Sequence, residues 1–122
     1  MIWTQILSVA FGAAIGGVFR FLFSFWLKPE VSRCRWATLA VNLVGSFLLG
    51  VILSYFTRNE GNTSLKLMLT TGFCGGFTTF SAFSMELVLL LQKNEYQIAG
   101  IYLVSTVIAG LGLTWVGYRL FT

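Results

Sequence analysis

The chain has no histidine, a single proline, two cysteines and very little charge. Without histidine there is no imidazole base, no proton shuttle and no His-ligated metal, so the usual hydrolase and zinc-enzyme arrangements cannot be assembled. Cys34 and Cys74 are too few for a disulfide framework and fit no metal-ligand spacing. They read as small apolar fillers. Charged residues make up 10% of the 122, where a soluble domain carries roughly a quarter. That is too little to coat a water-facing surface. Hydrophobic residues make up 57% and the mean hydropathy is +0.83, so the solvent that suits this chain is lipid.

A bilayer core takes about 20 mainly apolar residues per helix. Four such stretches fit, at about 3–27, 36–56, 65–92 and 96–121, giving an all-α integral membrane protein with one four-helix transmembrane domain. The polar patches between them are too short to be domains. Pro29 falls in the first, between Lys28 and Arg33, where a helix ends at little cost. The first stretch lacks a charged leader and a small-residue cleavage motif, and it carries Arg20, so it reads as a retained helix. Trp3, Trp26, Trp36, Tyr55, Tyr96, Trp115 and Tyr118 fall mostly near span ends, as interfacial anchors do. Trp115 is also placed where it can pack between helices.

Orientation follows Lys and Arg in the short loops. One side has Arg58, Lys66 and Arg119, and the other has Lys28, Arg33, Arg35 and Lys93. Neither side dominates, which admits insertion in both orientations as well as one weakly favoured orientation. Two oppositely inserted copies would pair about a two-fold axis in the membrane plane, like the inverted repeats of transporters.

Polar groups inside the spans mark function by default. Arg20 either snorkels to an interface or sets a fixed positive charge at a water-filled vestibule. Asn42 must find protein partners, as interhelical glue or as a donor lining a pore. The third span holds Gly75-Gly76-Phe77-Thr78-Thr79-Phe80-Ser81-Ala82-Phe83-Ser84. Paired glycines followed by paired threonines weaken the helix near its middle. A break there frees backbone carbonyls at membrane depth, which is tolerated only where they are buried or line a cavity. Free carbonyls suit a hard cation, and half-helix N-termini suit an anion. On the fourth span Tyr102, Thr106, Gly110 and Thr114 recur every four residues along one face. Gly12 and Gly16 form a GxxxG that favours close packing.

Arg20, the Thr38–Gly45 segment around Asn42, the Gly72–Glu86 block and the stripe on the fourth helix together resemble the Fluc (CrcB-type) fluoride channel family. The resemblance covers nearly the whole chain, and the glycine–threonine–phenylalanine–serine block is its most specific part. It implies a dual-topology, antiparallel homodimer in a bacterial inner membrane, with passive fluoride efflux that lowers cytoplasmic fluoride. It also implies one structural sodium ion, not transported, on backbone carbonyls of Gly75 and Thr78 from both copies. By the same resemblance the fluoride path includes Asn42, Phe80, Phe83, Ser81, Tyr102, Thr106 and Thr114, with Arg20 near the vestibule. Gly110 stands where some members have a polar residue, which leaves a gap in the row of hydroxyls.

The chemistry suits a small, tightly hydrated anion. Hydroxyls and amides replace its water, and the positive edges of Phe80 and Phe83 touch it without trapping it. Two rivals remain at this level. A small multidrug-type proton-coupled exporter is also a four-span antiparallel dimer, but it needs an acid in its binding site, and the only acid within the spans is Glu86. A non-transporting assembly subunit would use the same polar residues as packing glue alone.

Overall fold

The computed structural model describes residues 1–27 and 34–121. Lys28, Pro29 and Arg33, on which part of the loop and charge reading rests, lie outside the described residues, as does the side chain of Cys34. The chain runs as α1 (Ile2–Leu27), α2 (Cys34–Arg58), α3 (Thr63–Leu67), a π-helical segment (Met68–Cys74), α4 (Gly75–Phe77), α5 (Phe80–Gln92) and α6 (Tyr96–Leu120). Among the described residues four stretches are long and apolar enough to cross a membrane: Ile2–Trp26, Arg35–Arg58, Thr63–Gln92 and Tyr96–Leu120. These are the four expected spans. In lipid every backbone polar group must be paired within the protein, and continuous helix does this for three of them.

The third span is different. It enters through Asn62, whose Oδ1 accepts from the N–H groups of Ser64 and Leu65 at 2.9 and 3.2 Å, the usual capping geometry. It passes through the wider π turn and then leaves helical geometry at Thr78 and Thr79, where φ/ψ are −86/160° and −149/112°. The expected break is therefore present, near the middle of the span. It ends at Lys93, after which Asn94 takes a positive φ of 59°. Asn94 and Glu95 N–H groups return to the carbonyls of Leu91 and Leu90. This closes the helix end as Asn or Gly does in the left-handed region and turns the chain into α6.

Lipid tails are as apolar as leucine, so helices in a membrane are held by close packing and polar contacts and not by hydrophobic exclusion. The glycines serve that need. A Cβ on Gly12 would strike the Met68 carbonyl, and one on Gly16 the Phe73 carbonyl. Across the same seam a Cβ on Gly76 would lie 2.6 Å from the Ala13 carbonyl. The GxxxG of α1 thus lies backbone to backbone against the first half of the third span. The second seam joins α2 to α6, where Gly50 meets the Thr114 carbonyl and Gly117 meets that of Phe47. α5 packs more lightly, between α2 and α6.

The outer surface is apolar, as lipid contact requires. Trp3, Trp26, Trp36, Tyr55 and Tyr96 are exposed near helix ends. Trp115 is exposed too, with the Arg119 guanidinium 5.7 Å from its ring centroid. It is not buried within the protomer.

Candidate functional site

Where the third span unwinds, the side chain of Asn42 replaces the lost ladder. The Thr79 N–H donates to Asn42 Oδ1 at 2.8 Å, and Asn42 Nδ2 donates to the Thr79 carbonyl at 3.2 Å. One amide on α2 thus satisfies both polar groups of the residue at the break, much as a neighbouring strand would. Thr79 also caps α5: its Oγ1 accepts from the Ala82 N–H at 3.1 Å and lies 3.2 Å from Ser81 Oγ.

These bonds redirect donors. In an unbroken helix the Gly75 carbonyl would accept from Thr79 N–H, and the Thr78 carbonyl from Ala82 N–H. The first donor has gone to Asn42 and the second to Thr79 Oγ1. The two carbonyls expected to hold a cation are therefore two whose helical donors are taken elsewhere, and Gly75 is exposed on the protomer surface. Carbonyl oxygens of this kind fit a hard monovalent or divalent cation. The carbonyl between them in sequence, Gly76, accepts from Arg20 Nε at 2.9 Å. Arg20 thus turns inward to the break.

The break opens onto one groove of about 500 Å³, walled by α2, the π segment, the break and α6. Of the residues expected along an anion path, Asn42, Phe80, Phe83 and Thr106 line it, together with Gly75, Thr78 and Gly110. Phe80 is 77% exposed and Phe83 only 4%, their ring centroids 5.8 Å apart. The pair therefore runs from the open face of the protomer to its core. Thr106 Oγ1 is buried with no hydrogen-bond partner among the described residues, as is Ser54 Oγ outside the groove.

The other expected residues stand apart from this groove. Ser81 is exposed beside Thr79. Thr114 Oγ1 donates to the carbonyls of Ser46 and Gly110 at 3.0 and 3.1 Å, so it ties α6 to the groove wall. Tyr102 is buried, with its ring edge-on to Phe83 at 5.1 Å and its hydroxyl donating to Glu86 Oε1 at 2.6 Å. Thr38 Oγ1 donates to the other carboxyl oxygen at 2.8 Å. Sequence reasoning singled out Glu86 as an acid within a span but not its partners. The signal was present in part, because a carboxyl at membrane depth has to find hydroxyls or cations inside the bundle.

The sequence as a whole has known relatives. Residues 7–118 match the family described as CrcB-like protein, Camphor Resistance (CrcB). The chain is 45% identical over 105 residues to the fluoride-specific ion channel FluC of Rhizobium johnstonii, covering 84% of each. It is 40% identical over 115 residues to the protein of that name from Leptospira interrogans, covering 93% of this chain and 91% of that one. A third, from Gloeobacter violaceus, is 42% identical over 110 residues, or 85% and 88% of the two chains.

Proposed function

The chain belongs to the CrcB family of ion channels, and we propose on that footing that it carries fluoride passively across the membrane. It is a multi-pass membrane protein and not an enzyme. The observation that carries the fluoride reading is the break at Thr78 and Thr79, held by Asn42 inside a groove that also presents Phe80, Phe83 and Thr106. The lining of such a groove offers an anion neutral donors and ring edges. An exporter would need an acid open to its cargo, whereas both oxygens of Glu86 already accept from hydroxyls and the residue is 9% exposed.

The finer reading is an antiparallel homodimer of oppositely inserted copies in a bacterial inner membrane. The supporting feature is that the groove lies open on one protomer, with Phe80 and Gly75 facing outward. A second copy would close it and bring two sets of Gly75 and Thr78 carbonyls together at the axis. A sodium ion there would supply a fixed positive charge and bind the two broken helices to each other. Efflux follows from the fluoride gradient alone and lowers cytoplasmic fluoride.

Liposomes holding the purified chain test the channel. They should release fluoride to an electrode without ATP or a proton gradient, and release chloride on the order of 100-fold more slowly, because the larger ion fits a narrow path poorly. Vesicles as tight to fluoride as empty ones would end the reading. Sodium is tested separately by exhaustive exchange for N-methylglucamine, which should abolish flux and weaken the dimer. A fully active, fully dimeric sodium-free protein would remove the ion from the account and leave the channel standing.

A further inference from the structure

A second cavity lies on the far side of Tyr102. It has a volume of about 150 Å³ and is walled by Arg35, Trp36 and Leu39 of α2 and by Ile98, Ile101, Tyr102 and Ser105 of α6. At about 100° per residue along α6, Ile98 and Ile101 fall to one side of Tyr102, and Thr106 and Gly110 to the other. This cavity and the groove at the break therefore open on opposite flanks of α6, so on the dimer reading above a second copy seated on the groove would leave this one facing lipid.

Its chemistry is divided along its length. At the mouth stands Arg35, in the first turn of α2, beside a Trp36 that is 62% exposed, as an interfacial anchor is. Inward the walls are Leu39, Ile98, Ile101 and Tyr102, with the hydroxyl-bearing Ser105 among them. Glu86, which Tyr102 binds, has its two oxygens on the hydroxyls of Thr38 and Tyr102, so its direct partners are those hydroxyls and not the Arg35 guanidinium. A cation at headgroup depth over an apolar slot between two helices is the arrangement that takes an anionic lipid.

We propose that the slot between α2 and α6 binds an anionic phospholipid, with its phosphate on Arg35 and the upper part of one acyl chain against Leu39, Ile98 and Ile101. The volume admits a short run of methylenes, so the lipid is held at its head and not swallowed whole. The lipid chain then lies close to the groove, because Tyr102 lines the slot and its ring packs edge-on against Phe83, which lines the groove. This inference stands independently of the identity of the transported ion.

Native mass spectrometry of the purified full chain with equal phosphatidylglycerol and phosphatidylcholine tests it. Phosphatidylglycerol should be retained about fivefold over phosphatidylcholine, the preference expected of one basic side chain near the headgroups. Arg35→Gln should bring the two lipids to parity, Arg35→Lys should keep the preference, and Ile101→Trp, which fills the slot, should lower retention of both. Equal retention by the parent chain, or an unchanged preference in Arg35→Gln, would overturn the site. So would inorganic phosphate raising the melting temperature as much as phosphatidylglycerol does, since a bare anion site would explain that. Should Arg35→Gln not survive purification, Ile101→Trp decides: lost retention supports the slot and full retention refutes it.

Discussion

Replacing both phenylalanines of the groove by isoleucine is expected to slow fluoride release on the order of 100-fold, with the single changes each costing about tenfold. The reasoning runs from the ring to the rate. A benzene ring has a positive edge that isoleucine lacks, while the two side chains have similar apolar bulk. If each edge lowers the energy of a passing anion by about 1.5 kcal/mol, each loss is worth about a factor of ten. The two positions also separate chemistry from folding. Phe80 is 77% exposed on the protomer, so Phe80→Ile should leave the fold of the protomer itself intact while flux falls. Phe83 is buried against Tyr102, so Phe83→Ile should lower flux and also stability, the latter by about 1–2 kcal/mol. Phe80→Tyr keeps the ring and should conduct within about threefold of the parent. Flux from the doubly substituted chain within that same range would show that bulk, and not the ring edge, is what the groove requires.

What could be read from the residues alone follows a physical divide. The four spans were legible because lipid solvation is a property of composition over about 20 residues, and α1, α2 and α6 follow it closely. The break was legible because glycine and threonine in that order weaken a helix locally, whatever surrounds it. The pairing of Gly12 and Gly16 with a neighbouring helix was legible as a motif, though not which helix it would meet. The π segment Met68–Cys74 was not legible. Thr70, Thr71 and Gly72 weaken an α-helix without specifying a π turn in its place, and the wider turn becomes visible only where the chain sits backbone to backbone against α1.

Side-chain partners across the bundle were the other hidden part. Thr38 and Glu86 are separated by 48 positions and Arg20 and Gly76 by 56, and nothing local links either pair. The stripe on α6 shows the limit most plainly. Its spacing placed Tyr102, Thr106 and Thr114 on one face. Tertiary contacts then divided them, with Tyr102 given to Glu86, Thr114 given to Ser46 and Thr106 left with an unpaired hydroxyl in the wall of the groove. A periodic row tells which residues look the same way; only the neighbouring helices decide which of them meets the transported ion.

Asn42 is the residue on which the break depends most. Asn42→Leu, close in size, should reduce fluoride flux to the level of empty vesicles. It removes an acceptor from Thr79 N–H and a donor from the Thr79 carbonyl at once. Leaving two backbone groups unpaired inside the bundle costs about 2–6 kcal/mol, taking about 1–3 for each. The chain can escape most of that cost by rewinding the helix, returning Thr79 N–H to Gly75 and Ala82 N–H to Thr78. Rewinding would consume both proposed cation-binding carbonyls and swing Phe80 out of register with the groove. The loss should therefore appear in two independent measurements: no fluoride flux, and no dependence of dimer stability on sodium, in a protein that still elutes as a folded species. Asn42→Asp keeps the acceptor for Thr79 N–H but sets a carboxyl against the Thr79 carbonyl, so it should hold the break partly open and conduct less than the parent chain. An Asn42→Leu protein that conducts within about threefold of the parent would mean that the break is held by something other than this amide, and the clamp would have to be abandoned.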